Sequence, residues 1–384
     1  MKNTFYFTFF AFTMLFAASC NDDSNTEVLE QAKTDATTAY ATFVYDSYQS
    51  AYDDATALKT AIEVLTTNPT DATLQAAKNT WLAARESYGP TEAFRFADGP
   101  IDIIGTEEGP EGLLNSWPLD EAYIDYVDGS TSAGIINDLI TYPTIDKALL
   151  ESLNGQGGEE NVSIGYHAIE FLLWGQDLTS PSTKQAGQRP YTDFVDGGTA
   201  SNQNRRNAYL EICSDLLLEH LQILLEEWKP GGAYRNEFLG YSSEIALSKM
   251  MTAIATLSKT ELAGERMFVA YDNQDQEDEH SCFSDNTDRD IRLNFAGIKT
   301  IYSGLSTSIH DIIVLQNPTI AAEVEAAMTA AETAVEATAT PFDFAITDAT
   351  ERPKVLAAVN ALRDLGDKLV EGGSEIEITV TIID

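Results

Sequence analysis

Residues 35–65, DATTAYATFVYDSYQSAYDDATALKTAIEVL, carry alanine, tyrosine and aliphatic side chains at intervals of three and four. That spacing is the period of an amphipathic α-helix, whose apolar residues form one stripe facing a core. Asn68-Pro69-Thr70-Asp71 ends the pattern, because Pro69 has no amide hydrogen for a continuing helix. A second helix is expected from about Ala72 to Tyr88, with Leu74, Ala77, Trp81, Ala84 and Tyr88 on one stripe, before the Gly89-Pro90 turn. The same reading predicts short helices near 134–141 and 143–153, and a helix containing His167. Longer ones are expected from about Gln203 to Trp228, over 241–271, and near 290–316, 319–338 and 350–371. Only the tail from Glu375 to Ile382 alternates like a strand, and it lacks a strong partner, so it reads as a peripheral extended segment.

The expectation is an all-α protein, most simply two helical bundles in series. The boundaries read as an N-terminal helical domain at 35–200, a C-terminal helical domain at 201–373 and a tail at 374–384. Two polar, irregular segments interrupt the helices, at 98–134 and 175–203. Segments that long inside a compact domain are more often functional than idle.

Residues 1–19 stand apart from the fold. Lys2 supplies a positive start, and Phe5 to Ala18 form an apolar core too short for a comfortable membrane span. Ala17-Ala18-Ser19-Cys20 resembles the processing site of a bacterial lipoprotein, with cleavage before Cys20 and lipid on that cysteine. Residues 20–34 read as an acidic tether. Acidic residues directly after Cys20 resemble the surface-export signal of Bacteroidetes lipoproteins, so a lipid-anchored place in the cell envelope, at the outer membrane, is expected. A plain secretory signal is the alternative.

Sixty-one acidic against 23 basic residues give a formal charge of −38. Nucleic acid is thereby excluded as a partner, since binding it relies on Lys and Arg neutralising phosphates. Such acidity suits solubility outside the cell and attraction of cations. Beyond Cys20 only Cys213 and Cys282 remain, with no CxxC spacing, so a cysteine zinc site is excluded. Cys213 lies in an apolar helical run and reads as a buried thiol.

The chemistry concentrates in Gly165-Tyr166-His167-Ala168-Ile169-Glu170. His167 and Glu170 stand three apart, hence on one helix face. A neutral imidazole with a carboxylate suits zinc, and also iron or manganese. Spacing alone leaves open whether the pair holds a metal or is a structural hydrogen bond. Further donors are sought in two segments. One runs from Trp81 through Arg85, Glu92, Arg95 and Asp98 to Asp102. The other is Asp275 to Thr287, whose oxygens suit Ca²⁺ although it lacks the EF-hand pattern; a solvated acidic loop is the alternative. No HExxH, GxSxG, P-loop or GxGxxG is present. His220 and His310 lie in apolar helical stretches and read as packing or surface residues.

Taken together, GxHxxE at Gly165, His167 and Glu170, the Trp81–Asp102 segment, Gly187-Gln188-Arg189-Pro190, and Glu279-His280-Ser281-Cys282-Phe283-Ser284-Asp285-Asn286-Thr287 resemble the imelysin-like family of bacterial envelope proteins. The resemblance implies two packed helical bundles with the site in a cleft between them, and a role in iron uptake. It also implies a metal ion, iron or zinc, on His167 and Glu170, and a peptidase activity associated with the family's name. Glu279 and Glu92 are the expected additional ligands. Gly165, Trp81, Arg85, Asp102, Arg189, His280 and Asp285 are further site candidates. The expected partners are the metal ion or an iron-carrier complex, envelope iron-uptake proteins, and the membrane through Cys20. Two other functions stay open: an HxxE metallopeptidase, and a non-metal protein recognising peptide or glycan in a cleft lined by Trp81, Trp117, Tyr88 and Phe94.

Overall fold

The computed structural model describes residues 21–383; the leader and Cys20 lie outside them. Helix α1 (Asn21–Thr67) is 47 residues long, hence about 70 Å at 1.5 Å per residue. Its buried line runs Ala36, Tyr40, Val44, Tyr48, Ala51, Ala55, Leu58, Ile62 and Leu65, the stripe that the sequence period predicts. The helix begins upstream of the expected boundary and takes in the residues read as a tether. Lys33 accounts for part of this: its stem is buried, and its ammonium meets Glu30 at 2.9 Å and Glu244 at 3.7 Å. Polar composition does not distinguish a free tether from the solvated start of a helix.

Against α1 pack α2 (Asp71–Tyr88) and α4 (Gln203–Trp228), with α3 (Gly165–Trp174) wedged between α2 and α4. Thr70 starts α2 through a capping box with Thr73, which satisfies amides that the first turn leaves free. Farther along, α1 also touches α5 (Ser243–Thr256). That helix belongs to a second group with α6 (Thr287–Lys299), α7 (Pro318–Glu336) and α8 (Arg352–Glu375). A single apolar cluster runs through both groups. The protein is therefore all-helical, with two groups of helices packed side by side; the strand pairing among the described residues is Ile103–Ile104 with Glu107–Glu108 and a single bridge between Val127 and Ser130.

Several expected helices are shorter or interrupted. The segment 134–141 is helical only over Gly134–Asn137. The next helix spans Lys147–Leu153, started by Asp146 accepting from Leu149 N at 2.9 Å. The run expected over 290–316 breaks after Gly304 and restarts at Ile309, capped by Ser308 and Asp311. Within the run expected at 241–271, Leu257–Phe268 winds as a π-helix, which a hydrophobic period does not reveal. Past Glu375 the tail is extended and lies along α5, with Thr381 N and Ile383 N donating to the hydroxyls of Thr252 and Thr256.

The two groups meet closely where the 3₁₀ turn Gly89–Phe94 crosses α6. A Cβ on Gly297 would stand 2.4 Å from Pro90 O, so only glycine permits this approach. The crossing brings α6 against α2, which itself packs on α3.

Candidate metal centre beside a buried histidine pair

Gly165 opens α3 with φ +87°, and a Cβ there would stand 2.6 Å from Leu114 O. The glycine of the motif is thus dictated by backbone and space together. All ten residues of α3 are buried, so His167 and Glu170 are set in a low-dielectric interior. Trp81 braces the helix from α2, its indole N–H donating to Tyr166 O at 3.0 Å.

His167 Nδ1 lies 2.9 Å from Glu170 Oε2. The other Glu170 oxygen accepts from Ser284 N at 2.9 Å and Ser284 Oγ at 2.7 Å. Both oxygens of Glu170 are therefore engaged. His167 Nε2 is buried and has no hydrogen-bond partner among the described residues. Its ring meets that of His280 edge to face, with centroids 4.6 Å apart.

His280 is held in a similar way. Its Nδ1 lies 2.8 Å from Asp290 Oδ2, which also accepts from Ser281 Oγ at 2.5 Å. The other oxygen, Asp290 Oδ1, accepts from Arg85 Nε at 3.2 Å and from Asn286 Nδ2 at 3.3 Å. Arg85 Nη1 donates to Asn115 Oδ1 at 2.5 Å, and Asn115 Nδ2 donates to Glu92 Oε1 at 3.2 Å. Glu92 Oε2 in turn accepts from Arg266 at 2.6 Å and Arg95 at 3.0 Å. Arg266 and its neighbour Glu261 come from the π-helical turn, a geometry frequent at functional sites.

Burial pushes the His167 imidazole down to about 3, with Arg85 acting in the same direction; burial and then Arg266 do the same to His280. Both rings are neutral at physiological pH. Burial opposes the charges of Asp290 and Glu92, yet Arg85 and His280 hold the first well below the usual carboxylate range, and Arg266 and Arg95 the second. Burial pushes Glu170 up to about 8 against the pull of the Ser284 hydrogen bonds.

Ligating imidazoles commonly give their second ring N–H to a carboxylate, which fixes tautomer and orientation. The His167–Glu170 pair has that form, with Nε2 left as the free donor. A cavity of about 280 Å³ reaches His280, lined by Arg95, Glu111, Trp117, Glu261 and Arg266 among others.

Of the expected residues, His167, Glu170, His280, Arg85 and Glu92 come together in this network. Glu92 is the counter-ion of two arginines and not a free ligand. Asp102 instead ties its own loop, accepting from the amides of Phe96 and Ala97 at 3.1 Å and of Gly99 at 3.3 Å. Arg189 lies in a separate pairing with Asp125 at 2.8 Å and Asp193 at 3.3 Å. Trp117 faces the cavity, its ring 6.0 Å from that of His280, whereas Trp81, Tyr88 and Phe94 are core. Glu279 is buried away from hydrogen-bond partners, and Asp285 lies beside Asp177 and Asp343. His220 pairs with Glu151 at 3.1 Å, His310 lies 3.3 Å from the Tyr302 hydroxyl, and both Cys213 and Cys282 are buried and free. Sequence reasoning missed Asp290, Asn115 and Arg266; Ser284 lay within the Asp275–Thr287 donor segment without being singled out. Asp290 alone had a local signal, as an acid four residues from Asn286 on one helix face.

An all-helical protein with GxHxxE on a fully buried helix is the class that these features define. The family model of imelysin, peptidase M75, matches residues 44–369, and the chain belongs to that family. It is 25% identical over 344 residues to iron-regulated protein A of Synechococcus elongatus, covering 85% of this chain and 81% of that protein. The crystal structure designated an iron-regulated protein A precursor from Parabacteroides distasonis superposes with a TM-score of 0.69 at 20% identity, covering 90% of this chain and 95% of that one. An imelysin-like protein from Psychrobacter arcticum gives 0.64 at 14% identity, covering 92% and 98%. These two likenesses bear on the fold.

Proposed function

We propose that this protein is an imelysin-type envelope lipoprotein that binds a metal ion, iron or zinc, through His167 and serves iron uptake. The observation carrying the reading is the fully buried His167 Nε2 with no partner. An unsatisfied buried nitrogen costs about 1–3 kcal/mol and persists where something else satisfies it. Glu170 acts as the group that orients the imidazole. The cavity reaches His280, whose ring packs against that of His167, and is the proposed approach for a further ligand, such as an oxygen of a carrier. The iron-regulated name of the Synechococcus elongatus relative agrees with this direction. No helix among the described residues is long and apolar enough to cross a membrane, and anchoring is assigned to lipid on Cys20.

Binding is preferred to hydrolysis for a stated reason. A catalytic zinc needs three protein ligands and a base. Here Glu92, Asp290 and Glu261 are already engaged by arginines. The test is equilibrium dialysis of chelator-stripped protein against Fe²⁺, Fe³⁺ and Zn²⁺, followed by elemental analysis. His167→Ala removes one bound ion while the helical circular dichroism persists, and Glu170→Gln weakens it about 10- to 100-fold. Unchanged stoichiometry and affinity in both variants sinks the proposal.

A further inference from the structure

Asp177, Asp285 and Asp343 converge from three distant parts of the chain, each offering a carboxylate oxygen within 4.8 Å of the others. Asp177 lies in the loop leaving α3, Asp285 in the loop before α6, and Asp343 in the short helix Phe342–Thr347. Asp343 is 2% exposed and Asp177 5%. Among the described residues none of the three is ion-paired with a lysine, arginine or histidine. Their hydrogen bonds are few: Asp177 accepts from Thr179 N at 2.9 Å and Asp343 from Phe344 N at 2.5 Å.

A fourth carboxyl backs the cluster. Glu279 is 1% exposed, and neither of its oxygens has a partner of hydrogen-bonding geometry. The Thr287 hydroxyl accepts from Ser281 N at 3.0 Å and, with its own proton, is the one neighbouring group that favours the Glu279 charge. After burial, the charges that Glu279 feels most are those of Asp343 and then Asp285, which puts it against the triad. Asp290, Glu92 and Asp125 each have an arginine; here the nearby cation is Lys184, which lowers Asp343 a little but forms no ion pair with the triad among the described residues. Buried acid groups without counter-ions are costly unless something external neutralises them.

We infer that Asp177, Asp285 and Asp343, backed by Glu279, bind a hard, oxygen-seeking cation of the calcium type, at a site distinct from His167. The donors are all oxygen, which selects calcium, magnesium or manganese over zinc or copper. Three protein carboxylates at one place suit calcium, which takes many oxygen ligands in a flexible geometry, better than magnesium, which keeps several waters and binds through one or two carboxylates. Backbone carbonyls and water complete its coordination. Burial and mutual repulsion push Asp285 up to about 7 and Asp343 up to about 6, a cost that a bound cation reverses. The ion also bears on the first site, because Ser284, next to Asp285, holds Glu170.

The test uses the full mature chain stripped with chelator, titrated calorimetrically with calcium chloride and followed by thermal unfolding. One calcium binds per chain in the wild type and equally in His167→Ala, raises the unfolding temperature, and is lost in Asp343→Asn and Asp177→Asn. These variants lose charge repulsion and keep their fold, which circular dichroism verifies. Magnesium binds at least about tenfold more weakly. No calcium binding at millimolar concentration, undiminished binding in both Asn variants, loss of binding in His167→Ala, or magnesium binding as tightly as calcium each overturns the inference. Failure of the His167 metal site leaves this outcome untouched, since the two variant sets are separate.

Discussion

Asp290→Asn tests the electrostatics of the centre most directly. Arg85 and Asp290 are both fully buried, with guanidinium nitrogens 3.1 and 3.2 Å from Oδ1. The substitution keeps the shape of the side chain and removes its charge, leaving Arg85 an uncompensated buried cation. Breaking one member of such a pair costs about 3–5 kcal/mol. The unfolding entropy, about 2.1 cal/mol/K per residue over roughly 360 residues, is about 0.8 kcal/mol/K, so the melting temperature falls by about 4–7 °C if the bundles unfold together. Thermal unfolding followed at 222 nm measures it. The physical cause is separable from loss of the His280 contact by a double-mutant cycle. Arg85→Met on the Asp290→Asn background removes the stranded charge and restores part of the loss, because an apolar replacement of a whole buried pair is often neutral. A drop below about 1 °C in Asp290→Asn, or a double variant no more stable than the single, refutes the argument.

Gly165→Ala strains a backbone at φ +87° and drives a Cβ to 2.6 Å from Leu114 O, so a loss of about 1–3 kcal/mol is expected from urea midpoints, and an unchanged midpoint contradicts the close approach. Asp343 carries a pH signature: burial, and then Asp177, hold its carboxyl at about 6, above the value near 3.9 of an unfolded chain. A raised folded-state value gives stability that is complete below about pH 4 and is lost as pH climbs through 6. In chelator, Asp343→Asn therefore gains on the wild type from pH 4 to 7 and levels off above; a difference in urea midpoints that is flat with pH contradicts it.

Helix existence was legible wherever apolar spacing ran long, as in α1 and α4, because the 3.6 period is a local property. The GxHxxE motif was legible for the same reason: Gly165, His167 and Glu170 are neighbours on one turn. What the histidine faces was not. Asp290 lies 205 residues from Arg85 in sequence, and Arg266 lies 174 from Glu92, so no local pattern links them. Arg189 illustrates the converse. It stands in a motif segment, yet it pairs with Asp125 and Asp193, because a buried arginine is useful wherever interior carboxylates need a counter-ion. The π-helical turn Leu257–Phe268 was hidden because its residues suit an α-helix equally well, and only tertiary packing selects the wider winding.

Charge balance separates the two candidate sites. Around His167, the two ionised acids are matched by the protein's own cations, Asp290 by Arg85 and Glu92 by Arg266 and Arg95, while Glu170 is held by Ser284 and His167. The imidazoles are therefore neutral donors in neutral surroundings, and an ion arriving there meets little net repulsion from the arginines, whose charge is already spent on carboxylates. Around Asp343 the balance is left open, with carboxyls facing one another and Glu279 unpartnered behind them. A fold that supplies arginines freely at one buried acid cluster and withholds them from its neighbour has left room for positive charge from solution. The chain's charge of −38 enriches cations at its surface to supply it.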